Sequence, residues 1–184
     1  MLCVFNEQLA KDGAVIMEFR KSFLEKINSF ANKIHKEICG ENLKLVYTPS
    51  IECDIINEEV FYKKLEQSAT REIENGTSLY GIQRDDIRFM IDEKDAKIYA
   101  SQGQQRTVVL SSKMAQMEII KAAKGEEPIL LLDDIMSELD ISRRSYLAGK
   151  IKDKQVLITC TDIDTLGGST PDKTFRVENG KIVN

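Results

Sequence analysis

The sequence predicts a mixed chain of α/β (α+β) class: a lobe of long antiparallel helices, then a small sheet containing a parallel strand pair. Three observations lead there. Ile16, Phe19, Phe23, Ile27, Phe30, Ile34 and Ile38 recur at spacings of 3, 4, 4, 3, 4 and 4, about 3.67 residues per step and so close to the helical period. From residue 128 onward the pattern alternates strand, helix, strand and hairpin, the order of a parallel crossover. A chain of 184 residues with 42% apolar and 30% charged content can build a core and does not have the composition of a disordered segment.

The first helix spans about 5–39. Phe5 and Leu9 extend its stripe, and Gly40 offers the left-handed stop that a helix C-terminus often uses. His35 lies one position off the stripe and reads as a surface or boundary residue. In LKLVYTPS (43–50), Leu43, Leu45 and Tyr47 alternate with Lys44, Val46 and Thr48, the pattern of a half-buried strand ended by Pro49. Residues 57–75 form a second helix with Asn57 as N-cap, Glu58 and Glu59 in the first turn, and Gly76 after the end. Its apolar face is Val60, Phe61, Leu65, Ala69 and Ile73. Two β-prone runs in IRFMIDEKDAKIYA (87–100) flank DEKDAK and predict a hairpin. A helix follows from about Gln104 to Ala123, with Val108, Leu110, Met114, Met117 and Ile120 inward. Strand 129–133 is apolar up to its terminal carboxylate, as expected of a strand buried on both faces. Helix 141–151, strand 155–160 and a type I′ hairpin at Asn179–Gly180 complete the chain.

The net charge of −4 does not indicate a wholesale electrostatic grip on nucleic acid. Cys3, Cys39, Cys53 and Cys160 are widely spaced with no C-x-x-C, and His35 is the single histidine. A zinc site needs about four clustered nitrogen or sulfur ligands, so this spacing argues against one. Such thiols fit a reducing cytosol. With no run of about 18 apolar residues and no signal peptide, the expectation is a soluble, cytoplasmic protein without a membrane role.

Two constellations carry chemistry. PILLLDDIMSELD (128–140) runs an aliphatic strand into Asp133 and Asp134. Ligands of open α/β sheets bind beyond the carboxyl ends of the strands, and an apolar strand ending in a carboxylate is the Walker B pattern, whose acid holds Mg²⁺ beside nucleotide phosphates. Any buried strand can also emerge into an Asp-rich loop, so the pair alone does not decide. The phosphate loop G-x-x-x-x-G-K-[ST] is absent: the Gly-Lys pairs at Gly149 and Gly180 lack both the earlier glycine and the following Ser or Thr. The second constellation is SQGQQR (101–106), at the start of the helix predicted from 104. Its serine, its glycine and the N–H groups of a helix N-terminus compose an anion site, or else an ordinary N-cap.

Ser-x-Gly-Gln about thirty residues before a Walker B strand is the layout of an ABC-type signature, and SELD (137–140) matches a D-loop. ASQGQQRTVVLSSKMAQMEII…PILLLDDIMSELD, together with NEQLAKDGAVI, G-x-x-R-D-D at 81–86 and the final FRVENGKIV, resembles the RecF family, DNA replication and repair ATPases related to ABC and SMC heads. The resemblance covers almost the whole chain but only the C-terminal half of such a protein, which implies a truncated chain without Walker A. It implies a signature-bearing helical lobe at 1–124 and the C-terminal part of an ABC-type ATPase sheet at 125–184. It also implies that Asp133 is the carboxylate linked to Mg²⁺ through water, and that Asp134 stands in the catalytic position. Ser101, Gln102, Gly103 and Gln104 would reach a partner subunit's ATP, supported by Arg106, while Ser137 and Asp140 would line the dimer seam. Thr161 stands where many ABC proteins carry a switch histidine, and Arg84 lies in GIQRDD, where the family usually shows Pro-His before the Arg. Implied partners are ATP and Mg²⁺ in the full-length protein, gapped single-strand/double-strand DNA, RecO, RecR and RecA, with an ATP-dependent homodimer.

The basic residues Arg20, Lys21, Lys33, Lys36, Arg143 and Arg144 read most simply as solvated helix faces. Two other readings remain at this stage: a docking module for a partner or DNA with no ATPase role, and another ABC- or SMC-like head. The helices are short for the latter.

Overall fold

In the computed structural model, residues 2–53, 55–166 and 170–183 are described. They divide into two compact units, residues 1–125 and 126–184.

The first unit is built on α1, Leu2–Cys39, which ends at Gly40 in the left-handed region at φ 81°. The buried positions of α1 are Ala10, Gly13, Met17, Leu24, Ile27, Ala31, Ile34 and His35. Ala10, Met17, Leu24 and Ala31 are seven apart, and so are Ile27 and Ile34, so the seam follows a heptad rather than the 3.67-residue stripe of bulky residues. The predicted stripe is therefore corrected. Phe19 is 72% exposed, Phe5 and Leu9 lie in solvent, and Ile16, Phe23, Phe30 and Ile38 are half-buried. Small residues make the seam because neighbours approach closely there. A Cβ on Gly13 would lie 2.6 Å from Cζ of Phe61. His35 is fully buried, against the expectation of a boundary site, and its Nδ1 lies 3.1 Å from Ser111 Oγ.

Strand β1 (Leu43–Thr48) pairs antiparallel with β2 (Asp86–Ile91), and β2 with the short β3 (Lys94–Asp95). The open edge of β1 is covered by α1 side chains. Asn28 accepts from Leu45 N at 2.7 Å and donates to Leu45 O at 2.8 Å, and Asn32 accepts from Leu43 N at 3.0 Å. These amides satisfy backbone groups that an edge strand otherwise leaves unpaired. The predicted hairpin is shorter than expected. Asp92 (φ 42°) and Glu93 (φ 65°) make the turn, and Ala96–Tyr99 is a helical turn, α3, rather than a strand. Asp95 starts it by accepting from Lys97 N at 2.9 Å.

Helix α2, Glu58–Asn75, has the expected caps: Asn57 accepts from Val60 N, and Gly76 is left-handed. Its buried face is Phe61, Leu65 and Ser68, while Ile73 is exposed, a correction to the apolar face. Helix α4, Gln102–Lys124, starts two residues earlier than predicted because Ser101, not a later residue, is the cap. It runs antiparallel to α1, since Gln104 reaches Glu41 and Ser111 reaches His35. Thr107, Ser111 and Ser112 share its buried face with Val108, Leu110, Met114 and Met117, whereas Ile120 is exposed.

GIQRDD folds into a polar junction. The Asp85 carboxylate, 3% exposed, accepts from Arg20 Nη1 at 2.7 Å, from Ser50 N at 2.9 Å and from the Tyr47 hydroxyl. Arg20 also donates to Ile82 O at 2.6 Å, so it fills a seam position of α1 instead of a solvated face. Arg84 ties its own loop, donating to Ser78 O and Thr77 Oγ1, both at 2.8 Å.

In the second unit, β4 (Leu130–Asp133) and β5 (Val156–Thr159) pair in parallel, in register Leu130↔Val156 to Asp133↔Thr159. Helix α5 (Ile141–Ile151) is the crossover between them. Leu130, Leu132, Met136, Leu139, Leu147, Ile151 and Leu166 are buried. Leu131 is 70% exposed and Leu157 also faces solvent, so β4 is covered on one face rather than two. With α5 as the single crossover helix, the strand pair has one covering layer among the described residues. The hairpin of β6 (Arg176–Glu178) and β7 (Lys181–Val183) turns at Asn179 and Gly180, both at positive φ. No helix among the described residues is long and apolar enough to cross a membrane.

Two outcomes test this packing. Gly13→Val drives a branched side chain into the Phe61 ring and should cost about 1–3 kcal/mol in urea unfolding. Tyr47 is pushed up to about 12 by burial and then by its bond to Asp85. Its phenol should stay protonated through the ordinary tyrosine range in an absorbance titration. A raised pKa stabilises the fold fully below the unfolded value and ceases to do so as pH climbs through about 12. Asp85→Asn should bring the titration down.

Candidate functional site

The two constellations of the sequence lie in separate units. In the first unit, Ser101 is the N-cap of α4. Its Oγ accepts from Gln104 N at 3.3 Å, while Gln104 Oε1 accepts from Ser101 N at 2.9 Å, a reciprocal capping box. Gln105 N donates to Ser101 O at 2.9 Å. The earliest N–H groups of a helix have no acceptor within it, so Gln102 and Gly103 present theirs at the helix tip. Ser101 and Gln102 are exposed, and Gly103 is half-buried. The serine hydroxyl accepts the cap bond and keeps its own proton to donate. The ordinary N-cap and the anion site are thus compatible uses of one residue. Gln104 does more than cap: its Nε2 donates to Glu41 Oε1 at 2.6 Å, which fastens the start of α4 to the chain just beyond α1. Arg106 is exposed on the first turns of α4.

In the second unit, β4 delivers Asp133 to its carboxyl end, and the chain reverses at Asp134, which adopts the left-handed region at φ 50°. Aspartate tolerates that conformation better than most residues. The reversal turns Asp134 N back to β5, where it donates to Thr159 Oγ1 at 3.0 Å and Thr159 O at 3.2 Å. Thr159 Oγ1 in turn donates to Asp133 Oδ1 at 2.5 Å. Ser137 Oγ lies 2.8 Å from Asp134 O and 3.0 Å from Asp134 Oδ1, so this serine closes on the second aspartate. Asp140 caps α5, accepting from Arg143 N at 2.9 Å and pairing with the Arg143 guanidinium. The backbone bond from Arg143, then its charge, hold the Asp140 carboxyl below the usual range.

Asp133, Asp134 and Ser137 are therefore brought together at one strand end, with Asp140 three residues further along the chain at the start of α5. Ser101 to Gln104 sit together at the tip of α4. Thr159 is the member of this cluster that the sequence reading missed. The signal was present: in a parallel pair of equal length, the last residue of QVLITC before its cysteine falls opposite the last residue of ILLLD. Thr161, by contrast, is exposed and outside β5. Of the basic residues proposed as solvated, Arg143 is committed to Asp140, and Arg144 donates to Leu139 O at 2.7 Å.

The donor set at the strand end is oxygen throughout: carboxylates of Asp133 and Asp134 and hydroxyls of Thr159 and Ser137. A hard cation such as Mg²⁺ takes that set, and the exposed carboxylates can reach it without a burial penalty.

No family model matches the chain. Curated relatives do. The DNA replication and repair protein RecF of Clostridium perfringens is 41% identical over 99% of this chain and 52% of its own length. That of Lachnospira eligens is 37% identical over 100% of this chain and 50% of its own. Among solved structures, the recombination mediator RecF with ATP in the RecFOR pathway superimposes with a TM-score of 0.83 at 32% identity. It covers 99% of this chain and 49% of that one. An SMC ATPase structure matches at a TM-score of 0.50 and 17% identity, a likeness of fold alone. The chain spans about half the length of the relatives it matches, and over that span it belongs to the RecF family of DNA replication and repair proteins.

Proposed function

We propose that this chain supplies two half-sites of an ATP-dependent, DNA-binding dimer of the RecF type. The observation that carries the reading is that an exposed anion-accepting helix tip and an oxygen-rich strand end occur in one chain that contains no phosphate loop. Each half-site lacks what a full nucleotide site needs, and a second subunit together with a Walker A segment would provide it.

In this reading Asp133 holds Mg²⁺, directly or through water, with Thr159 fixing the orientation of the carboxylate. Bound Mg²⁺ would neutralise charge on the nucleotide phosphates. Asp134 polarises or orients the attacking water, and its left-handed backbone, held by Thr159 and Ser137, keeps the carboxylate at the strand end. Ser101, Gln102 and Gly103 offer a hydroxyl and helix N–H groups to the phosphate held by the partner subunit. Arg106 supports that contact, and Ser137 and Asp140 line the seam. A solved relative is described with ATP in the RecFOR pathway, which favours ATP as the nucleotide. The pathway named there agrees with RecO and RecR as partners, while gapped single-strand/double-strand DNA and assistance to RecA are what the family resemblance implies. With no phosphate loop in its sequence, the chain by itself should not hydrolyse ATP.

The test uses the full-length protein that carries these residues. Asp134→Asn should lower turnover by about 10²-fold or more while ATP still binds. Asp133→Asn should weaken Mg²⁺-dependent nucleotide binding as well. Ser101→Arg should abolish ATP-driven dimerisation in analytical ultracentrifugation, and undiminished dimerisation there would remove the trans-site assignment. Thr159→Val, which keeps the strand but not the hydroxyl, should slow turnover without preventing dimerisation.

A further inference from the structure

We propose that His35, Cys39 and Glu41 form a binding site for a borderline-soft divalent transition-metal ion, with Zn²⁺ the ion that suits its donors. The sequence argued against zinc because the cysteines are scattered and the histidine is single. The fold removes that objection by adding a carboxylate.

His35 and Cys39 are four residues apart on α1 and so lie on one face of its last turn. Gly40, left-handed at φ 81°, then reverses the chain and returns Glu41 over that turn. Asn42 anchors the reversal, since its backbone N and Nδ2 donate to Asp92 Oδ1 at 3.1 and 2.8 Å. One nitrogen, one sulfur and one oxygen donor end within 4.8 Å of one another. Around a tetrahedral Zn²⁺ with ordinary bond lengths, ligand atoms are about 3.3–3.8 Å apart. Two edges already have that length: His35 Nε2 to Glu41 Oε2 is 3.7 Å, and Cys39 Sγ to Glu41 Oε2 is 3.4 Å.

The surrounding hydrogen bonds orient the histidine for this task. Ser111 spends its hydroxyl proton on Thr107 O at 2.8 Å, so toward His35 its Oγ is an acceptor. Nδ1 of His35 is then the protonated nitrogen, and Nε2 carries the lone pair that points toward Glu41. Without an ion the Cys39 thiol donates to Glu41 Oε2 at 3.4 Å and to His35 O at 3.2 Å, so sulfur, carboxylate and imidazole already face one point. A bound ion would replace the thiol proton there, and the Nδ1–H bond is the outer-shell support typical of a metal-ligating histidine. On binding, the Cys39 thiol gives its proton to solvent and coordinates as thiolate. Glu41 is 28% exposed, which leaves an entry side and a fourth position for water. Because Glu41 Oε1 also accepts from Gln104 Nε2, the ion would fix the carboxylate that ties down the start of α4. The binding site itself stands whatever the nucleotide chemistry of the protein.

The experiment titrates Co²⁺, then Zn²⁺, into the reduced chain. The expected result is one Co²⁺ per chain with a thiolate-to-cobalt charge-transfer band and tetrahedral d–d bands, displaced by Zn²⁺, and a higher melting temperature with either ion. Cys39→Ser, close to isosteric, should lose the charge-transfer band, and Glu41→Gln should weaken binding. Ser111→Ala should weaken it by about 10–100-fold through the lost support of His35. A variant with Cys3, Cys53 and Cys160 all changed to serine should bind as the parent does. The proposal is overturned if no stoichiometric binding occurs, if the band survives Cys39→Ser, or if it vanishes in the triple variant. Absence of binding with folded protein would instead assign the cluster to an imidazolium–carboxylate pair.

Discussion

Every secondary element of the first unit apart from α3 and the β2–β3 hairpin packs directly on α1, and the close approach of small residues along α1 sets how they do so. Gly13 leaves room for the Phe61 ring, which anchors α2. Asn28 and Asn32 bond the backbone of β1, so the sheet is attached to the helix by polar groups as well as by burial. Further along the same face, His35 meets Ser111 on α4. A helix of 38 residues serving three partners in succession needs a seam that returns every seven residues, because drift would carry the partners around its surface.

Polar groups decide where that seam is interrupted. Arg20 occupies a position that spacing alone would give to an apolar residue, and Asp85 meets it with a nearly buried carboxylate. Removing one member of such an assembly leaves the others buried and unpaired, which costs more than the net value of the bonds. The GIQRDD segment is thereby structural. Its aspartate holds α1, β1 and the loop before β2 together, and its arginine ties the preceding turn.

Much of this was legible in the sequence. Capping chemistry placed α2 within a residue, and Asn179–Gly180 placed the last hairpin. The β4–α5–β5 crossover followed from alternation. The failures share one cause: bulk was taken for burial. Phe19 and Ile73 are large and exposed, while Ala10, Gly13, Ala31, Ser68 and Ser111 are small or polar and buried, because close helix packing selects for size before hydrophobicity. Leu131 shows the same limit in a strand, where an all-apolar run does not reveal how many layers cover it. At the candidate site, residue type and order pointed to Asp133, Asp134 and Ser101. Thr159 required knowledge of register, and Glu41 required knowledge of how Gly40 turns the chain.

The tip of α4 and the acidic strand end are held by different kinds of constraint, and this bears on how each can change. Asp133 and Thr159 end two strands whose register is fixed along four residue pairs, so their hydroxyl–carboxylate contact cannot shift without breaking the ladder. The tip of α4 depends instead on side chains. Ser101 and Gln104 cap each other, and one further bond from Gln104 to Glu41 fixes the pair to the rest of the unit. A carboxylate shared between an amide and a neighbouring histidine and thiol can be reoriented by a proton or an ion, whereas a strand register cannot. The tip of α4 is therefore the more adjustable of the two places, and the acidic strand end the more fixed.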